Sequence, residues 1–446
     1  MNLPFKDINR DILRTLEKPS LKYLILLSIV IGGVFLGAAC FAYQVRFGMG
    51  VAGLNHPVGW GVYITDFVFW VGIGHAGTLI SAILFLFRAR WRNAIFRSAE
   101  AMTIFAVMTA LLFPIIHIGR AWLFWWLIPY PNQRELWVNF RSPLLWDVFA
   151  VSTYFSVSTI FFCIGLIPDI AAVRDRAKGL RRKIYSLLSV GWDSSSYQWR
   201  HYMAGYGFFA ALATPLVLSV HSVVSWDFAV SIVPGWHSTI FAPYFVAGAV
   251  FSGMAMVITI LIPFRKIYKL EKYLTEWHFD MMARLVLLTS TIVGYAYLTE
   301  YFIAWYSDDV FEKFIFWERS FGKYAIPFWL MFLCNVAIPL PLWSKKVRTN
   351  FMALFIISIF VNIGMWFERF NIIVSSLAQE YDPYAWGWYT PSIIEIGITI
   401  GSFSWFFMWF FLFIKFFPSL AITEIKEIAD PPMSGDKEGD AGKEAA

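Results

Sequence analysis

The stretch Phe113-Pro-Ile-Ile-His117-Ile-Gly-Arg120-Ala-Trp122 closes an apolar segment that begins near Glu100. A loop rich in Pro and Trp follows, and the chain enters the next apolar segment at Ser142-Pro143-Leu-Leu-Trp146-Asp147. If both segments are membrane helices, a His, an Arg and an Asp lie near one membrane surface. Because such groups are costly in or beside hydrocarbon, they usually have a function there.

The composition around this stretch is that of a membrane protein. Of the 446 residues, 59% are hydrophobic and only 15% are charged. Apolar windows of roughly 20 residues recur along the chain, which is the length that crosses a hydrocarbon core about 30 Å thick. The sequence predicts an all-α integral membrane protein with ten spans, at about 22–44, 60–87, 99–122, 144–168, 203–224, 238–262, 282–304, 323–343, 351–370 and 391–415.

The loops on the two sides of the predicted membrane differ in charge. Lys and Arg concentrate in the N-terminal segment and in the loops after spans 2, 4, 6 and 8, as in Arg88-Ala-Arg90-Trp-Arg92 and in 174–183. The positive-inside rule then predicts that both termini are cytoplasmic. The charged tail after about Ile422 is predicted to be disordered. The net charge of +6 follows from topology and implies no nucleic-acid partner.

The chain also contains an internal repeat. Gly59-Trp60, Gly72 and Gly77 of span 2 recur at the same spacing as Gly235-Trp236, Gly248 and Gly253 of span 6. We therefore predict two four-helix bundles, spans 2–5 and 6–9, related as parallel repeats, with spans 1 and 10 peripheral.

The predicted segments are a cytoplasmic N-terminal segment (1–21), the first span (22–44), the first bundle with the candidate site (45–224), the second bundle (225–370), an outer loop with the last span (371–415) and a cytoplasmic disordered tail (416–446).

Two polar residues of span 2 distinguish the first bundle from the second. Asp66 and His75 align with Ala242 and Phe251 of the second copy. They are nine residues apart, and a turn of about 900° places them on opposite faces of the helix. We therefore expect them to contact different neighbours. The second bundle has charged residues of its own toward the predicted outer side, of which the adjacent Glu and Arg could simply pair: Glu300, Glu368, Arg369 and Glu395.

His117, Arg120 and Asp147 form the candidate site. His117 and Arg120 are three residues apart and share a helix face. Asp147 lies one turn inside span 4, and we expect it to reach His117 because spans 3 and 4 are antiparallel neighbours. Oxidation of a quinol releases two electrons and two protons, and a His oriented by a carboxylate can accept a proton near neutral pH. The alternatives are a structural ion pair and, for Arg120, an interfacial anchor.

The cofactor to test for in this chain is a haem b held by two histidines. His75 is expected near the midplane, whereas His117 and His221 are expected toward the outer surface, where their depths could match. We disfavour that pairing because His117 already has an expected partner in Asp147. The three cysteines are widely scattered, so this chain alone can hold no iron–sulfur cluster. We therefore expect no haem, no iron–sulfur cluster and no metal site in this chain.

Other classes of function fit part of the pattern. A secondary transporter is compatible with a parallel repeat and buried carboxylates, but the spans lack an evident unwound Gly/Pro pair at matching midplane positions. A structural anchor without any site is a further possibility. The polar groups at the ends of spans 3 and 4 speak against it.

Four motifs resemble the NrfD-like membrane subunits of the polysulfide reductase family. They are Asn55-His-Pro-Val-Gly-Trp60-Gly-Val-Tyr-Ile-Thr65-Asp66, Phe69-Trp-Val-Gly72-Ile-Gly-His75-Ala-Gly77-Thr, His117-Ile-Gly-Arg120 and Ser142-Pro143-Leu-Leu-Trp146-Asp147. The resemblance covers roughly 20–415. Within the family the chain most resembles the ActC component of bacterial alternative complex III, whose paralogue ActF shares the fold.

The resemblance implies oxidation of a quinol, usually menaquinol, near the outer face of a bacterial inner membrane. It places the quinol pocket near His117 and Asp147, the expected catalytic groups, and makes Asp66, His75 and Arg120 candidates for the pocket or a proton route. We assign Arg120 to quinol binding, and from their positions in the spans we expect a proton path through Asp66, His75 and Glu100. Electrons would pass to an adjoining iron–sulfur subunit, then to c-type haem subunits and a terminal oxidase or soluble carrier. An ActF-like paralogue is a further expected partner. The alternative function within this family is that of a quinone-reducing membrane anchor of a polysulfide-reductase-like molybdoenzyme.

Overall fold

The computed structural model describes residues 5–129 and 140–429. Within these residues ten helices are long and apolar enough to cross a membrane, so the predicted all-α membrane fold is confirmed. The spans, numbered 1 to 10, are Leu21–Phe47, Val62–Leu86, Phe96–His117, Pro143–Arg174, Ser196–Ala229, Phe241–Ile267, Glu276–Tyr306, Ala325–Trp343, Phe351–Ser375 and Ile393–Phe416.

The spans form the two predicted four-helix bundles. In the first, each of spans 2 and 4 contacts both span 3 and span 5; in the second, each of spans 6 and 8 contacts both span 7 and span 9. The bundles meet along spans 2 and 6, where a Cβ on Gly253 would lie only 2.6 Å from the Cβ of Ala76. Trp60 and Trp236, which are equivalent in the repeat, stack with ring centroids 5.8 Å apart.

Spans 1 and 10 pair with each other and pack on the first bundle. A Cβ on Gly37 of span 1 would lie 2.6 Å from the Cα of Gly401 of span 10, so small residues at both positions allow this approach. Span 10 then contacts spans 2 and 3. The two predicted peripheral helices therefore form one pair beside the first bundle.

The first and last described helices fold against the same end of the molecule, which is termed the inner face here; the opposite end is the outer face. Helix Phe5–Leu13 packs on helix Ile422–Ala429. Glu424 of the second helix bonds Arg92 at 2.9 Å. The prediction of a disordered tail is therefore wrong for this helix, because Ile422 and Ile425 are buried and Glu424 is paired with Arg92. The remainder of that predicted tail, 430–446, lies outside the described residues.

Among the described residues, two further helices of ten residues or more lie between spans. Helix Gly179–Leu188 follows span 4 at the inner face, and helix Val310–Phe321 follows span 7 at the outer face. Three spans contain a short π-helical segment within the described part of the chain, at Leu79–Ile83, Leu333–Ala337 and Asn371–Ser375. Such segments are frequent at functional sites, and the last two belong to the second bundle.

Candidate functional site

Asp147 meets Asp227 of span 5 instead of the predicted His117. The two carboxyl groups lie close enough to interact at the outer ends of spans 4 and 5, and among the described residues the Oδ1 atom of each has no hydrogen-bond partner. Their chain neighbours Trp146 and Trp226 pack edge to face with centroids 6.0 Å apart. Two neighbouring carboxylates repel each other when both are ionised, so a contact of this kind is more favourable when one of the two groups holds a proton. Asp147 and Asp227 are termed the outer layer of the first bundle.

His117 ends span 3 because of two residues beside it. Pro114 cannot donate a hydrogen bond to the preceding turn, and the helix breaks at Leu111, between Phe96–Ala110 and Leu112–His117. Gly119 then adopts a φ of +76°, which ends the helix, and a Cβ there would lie 2.6 Å from Met49. The sequence motif His117-Ile-Gly-Arg120 is therefore a helix end that fixes the position of the imidazole.

Span 1 holds this helix end in place. The side-chain amide of Gln44 donates to the carbonyl oxygen of Ile116 at 3.0 Å, and the hydroxyl of Tyr63 donates to the carbonyl oxygen of the Gln44 side chain. Among the described residues, the buried Nδ1 of His117 has no hydrogen-bond partner. Gln44 and Tyr63 are positioning residues that sequence reasoning missed.

The predicted contacts of Asp147 with His117 and with Arg120 are absent from the described part of the chain. No hydrogen bond or ion pair joins Asp147 to His117 or to Arg120 in residues 5–129 and 140–429. Arg120 is exposed. The structure thus brings His117 and Asp147 to one end of the same bundle but does not pair them.

A middle layer of the first bundle contains two histidines in contact. The rings of His75 and His221 have centroids 4.6 Å apart, and Tyr154 stacks on His75 at 5.3 Å. The expectation that His221 lies at the outer surface is therefore wrong. Because the two rings touch, they are not arranged as ligands on opposite faces of a haem. Among the described residues, both nitrogens of His221 and the Nε2 of His75 have no hydrogen-bond partner.

Hydroxyl groups extend the middle layer toward the inner face. The hydroxyl of Tyr154 lies 2.7 Å from that of Thr78, and Thr103 donates to the carbonyl oxygen of Gly74 at 2.6 Å. Tyr154 is seven residues beyond Asp147 along span 4, which separates the outer and middle layers by about 10 Å. The interior of this bundle is therefore polar at two depths.

Glu100 belongs to an inner layer of buried charges. It accepts hydrogen bonds from Arg97 at 2.9 Å and from the hydroxyl of Tyr206 at 3.1 Å. Arg97 also pairs with Asp169 at 3.1 Å, and Asp169 accepts the backbone N–H of Ile422. Each charge in this layer has an opposite partner, as burial requires. The inner layer also attaches the C-terminal helix to the bundle.

Asp66 faces away from these three layers, as its spacing from His75 predicts. Its carboxylate accepts hydrogen bonds of 2.7 Å from Trp366 of span 9 and from Thr399 of span 10. Both donors line a largely apolar groove of about 460 Å³ between spans 2, 6, 9 and 10. The structure therefore separates Asp66 from His75 and Glu100.

The second bundle has a buried polar cluster of its own. Glu368 pairs with Arg369 at 3.0 Å and accepts a hydrogen bond from the hydroxyl of Tyr297. Glu300 lies one turn beyond Tyr297 toward the outer face along span 7 and is buried. Its Oε1 has no hydrogen-bond partner in the described part of the chain. Arg319 donates to Ser375 and Ser376 at 2.5 and 2.6 Å. Glu395 lies outside this cluster and accepts a hydrogen bond from Tyr389.

Comparison with known proteins identifies the family. Residues 50–379 match the family model described as polysulphide reductase, NrfD. The chain belongs to the NrfD family. The match covers both bundles and all three polar layers of the first one. Spans 1 and 10, with Gln44 and Thr399, lie outside the matched NrfD region.

Two relatives of this NrfD chain are named as membrane subunits of oxidoreductases, and a third is named as a reductase subunit. A protein of Halobacterium salinarum, provisionally named as a membrane subunit of dimethyl sulfoxide reductase, is 25% identical over 83% of this chain and 85% of its own length. The Hdr-like menaquinol oxidoreductase integral membrane subunit of Archaeoglobus fulgidus is 22% identical over 93% and 98%. A selenate reductase subunit of Mesobacillus selenatarsenatis is 21% identical over 86% and 92%.

Proposed function

We propose that this chain is the quinol-binding membrane subunit of a multisubunit oxidoreductase and that it oxidises menaquinol at the outer layer of the first bundle. The observation that carries the proposal is the contact between Asp147 and Asp227, two acidic groups at the outer end of the first bundle. The relative named a menaquinol oxidoreductase subunit matches almost the whole chain and supports menaquinol as the substrate.

The protons of the reaction have acceptors at this end of the bundle. A quinol becomes a quinone by losing two electrons and two protons. The Asp147–Asp227 pair already holds one proton and can accept one more as its second carboxylate is neutralised. His117 accepts the other proton when its imidazole is neutral. We assign His117 and the two aspartates as catalytic groups and Arg120, exposed beside His117, as a quinol-binding residue.

The electrons leave this chain for a partner protein. We propose an adjoining iron–sulfur or molybdoenzyme-like subunit as the first acceptor, followed by c-type haem subunits and a terminal oxidase or soluble carrier. In this proposal the chain takes the place of ActC in bacterial alternative complex III, beside an ActF-like paralogue. The inner face, with its basic loops and both termini, is then cytoplasmic, and the membrane is the bacterial inner membrane.

A second candidate uses the same site in the opposite direction. Two relatives carry the names of reductase subunits, which favours an anchor of a polysulfide-reductase-like molybdoenzyme. In a quinone-reducing anchor the outer layer and His117 donate two protons to the quinone instead of accepting them. The two candidates differ in their partners, so the set of proteins in the purified complex separates them.

We further propose that His75 and Glu100 carry protons through the first bundle. Their positions support this proposal, because the middle layer with His75 and then the inner layer with Glu100 follow the outer layer toward the inner face. Asp66 lies on another face of span 2, so we propose a separate role for it at the groove beside Trp366 and Thr399. This assignment of a proton path is independent of the quinol site itself.

The experiment that tests the proposed function is turnover of menaquinol by the purified complex, wild type against His117→Ala. The matched control is His201→Ala, an exposed histidine near the inner end of span 5. With the same subunits in equal amounts in all samples, His117→Ala should lower turnover by about a hundredfold and His201→Ala should leave it unchanged. Wild-type turnover should fall at acid pH as His117 gains a proton. Unchanged turnover and pH profile in His117→Ala would remove His117 from this role.

A further inference from the structure

Helix Gly179–Leu188 at the inner face carries an exposed apolar stripe. Leu180, Ile184 and Leu187 are 74%, 49% and 80% exposed, and their spacing of four and three residues places them on one side of the helix. Tyr185, on another side, is buried and its hydroxyl donates to the carbonyl oxygen of Phe416 at 2.6 Å. The helix is therefore tied to span 10 while its apolar stripe is open, as in helices that lie in a membrane interface.

A slot of about 790 Å³ lies between this helix and spans 3, 4 and 10. Leu180, Ile184 and Leu188 line it from the short helix, and Cys163 and Trp409 line it from spans 4 and 10. Its volume is in the range of about 300–1,000 Å³ that is typical of ligand sites. Since the slot lies among membrane spans and its lining is apolar, it is suited to hydrocarbon chains.

The end of the slot beside the short helix is strongly basic. Residues 174–183 contain six Lys or Arg and one Asp. Arg181 lines the slot, and Arg182 and Lys183 beside it are exposed. Arg181 contacts the carbonyl oxygen of Leu16 at 3.3 Å and the hydroxyl of Tyr185 at 3.4 Å, which are long bonds for a group with five N–H donors. Its guanidinium can therefore take a further acceptor.

We propose that this slot binds one anionic diacyl phospholipid. The acyl chains lie in the slot against Ile184 and Trp409, and the phosphate faces Arg181. Arg182 and Lys183, on other sides of the same helix, add positive potential at this end of the slot. Charge complementarity selects an anionic headgroup, because basic pockets beside membrane helices attract such lipids. The site is separate from the outer layer, which lies at the opposite face of the molecule, and it does not depend on the proposed function.

The first test counts phospholipids retained by the purified complex, measured by native mass spectrometry. The variant is Arg182→Gln/Lys183→Gln, which removes two exposed charges without changing the slot lining. Its matched control is Lys345→Gln/Lys346→Gln, an exposed basic pair in the loop after span 8 at the same face. Each basic residue near an anionic surface contributes about fivefold in affinity, so retention should fall by about 25-fold in the variant and not in the control. Equal retention in the two would overturn the proposal.

The second test uses Cys163, an exposed cysteine that lines the slot. Delipidated complex is incubated with phosphatidylglycerol or with phosphatidylcholine, and alkylation of Cys163 is followed by peptide mass spectrometry. Phosphatidylglycerol should slow alkylation several-fold, phosphatidylcholine should not, and the Arg182→Gln/Lys183→Gln variant should lose the protection. Equal protection by both lipids would reject selection by charge. Protection by a co-purifying protein that cross-links to Cys163 would assign the slot to that partner and overturn the proposal.

Discussion

The side chains of Asp147 and Asp227 meet at the outer ends of two neighbouring spans, where the Oδ1 atom of each has no hydrogen-bond partner among the described residues. Each aspartate follows a tryptophan, and those tryptophans also contact each other. A carboxyl pair of this kind binds and releases a proton as a unit, so its two members should not act independently. The following predictions start from this contact.

Asp147→Asn and Asp227→Asn should each lower quinol turnover by about a hundredfold or more, because the proton is taken up by the pair as a unit and either substitution leaves a single carboxyl group without its titrating partner. The double variant should be no slower than either single variant, since groups that act as a unit have non-additive effects. Turnover is measured on complexes that contain every subunit in equal amounts. Losses that multiply in the double variant would mean that the two carboxyl groups act separately.

Gly253→Ala should destabilise the contact between the two bundles, because the added Cβ would lie 2.6 Å from that of Ala76. Overpacking of this kind costs roughly 1–3 kcal/mol, which thermal unfolding of the purified complex should detect as a lower Tm. Gly205→Ala in span 5 is the matched control, because no described atom lies within 4 Å of its added Cβ. If both variants have the same Tm, the bundle contact does not depend on this glycine.

Glu424→Ala should release the C-terminal helix from the inner face. The substitution removes the carboxylate that bonds the buried Arg92, and breaking a buried pair costs about 3–5 kcal/mol. Limited proteolysis should then cut the C-terminal segment faster than in wild type. Glu271→Ala, at an exposed position before span 7, serves as the control and should leave the cleavage rate unchanged. Equal protection of the segment in Glu424→Ala would show that apolar burial alone holds the helix.

His75→Phe tests the proton path separately from the quinol site. The equivalent residue of the second bundle is Phe251, so an aromatic ring without a proton-carrying group fits this position of the repeat. In proteoliposomes with an uncoupler, the variant should retain most of its turnover. Without the uncoupler it should translocate no protons beyond those that the chemistry releases. An unchanged ratio of protons to electrons would exclude His75 from the path.

Hydropathy and glycine spacing were sufficient to predict the spans and the bundles. A run of about 20 apolar residues has few other stable arrangements, and the Gly-Trp repeat recurs because spans 2 and 6 pack on each other. The face of span 2 was also predictable, because a fixed helical rotation puts Asp66 and His75 on opposite sides.

Side-chain partners across helices were less predictable, since they depend on where each helix ends. Span 5 was predicted to end near 224 but continues to Ala229, which moves His221 inward beside His75 and brings Asp227 into the helix. The repeated Trp-Asp dipeptide at 146–147 and 226–227 is a sequence signal for the outer layer. The C-terminal helix was missed because overall composition does not reveal that Ile422 and Ile425 share a buried face.

The most direct test of the central claim compares menaquinol turnover by assembled complexes carrying Asp227→Asn or Glu300→Gln. Glu300 is buried and Asp227 is half-buried, and each has a carboxyl oxygen without a hydrogen-bond partner in the described part of the chain, but the two belong to different bundles. If the quinol is oxidised at the outer layer of the first bundle, Asp227→Asn loses about a hundredfold or more in turnover and Glu300→Gln stays near wild type. Normal turnover in Asp227→Asn together with a loss in Glu300→Gln would contradict the account.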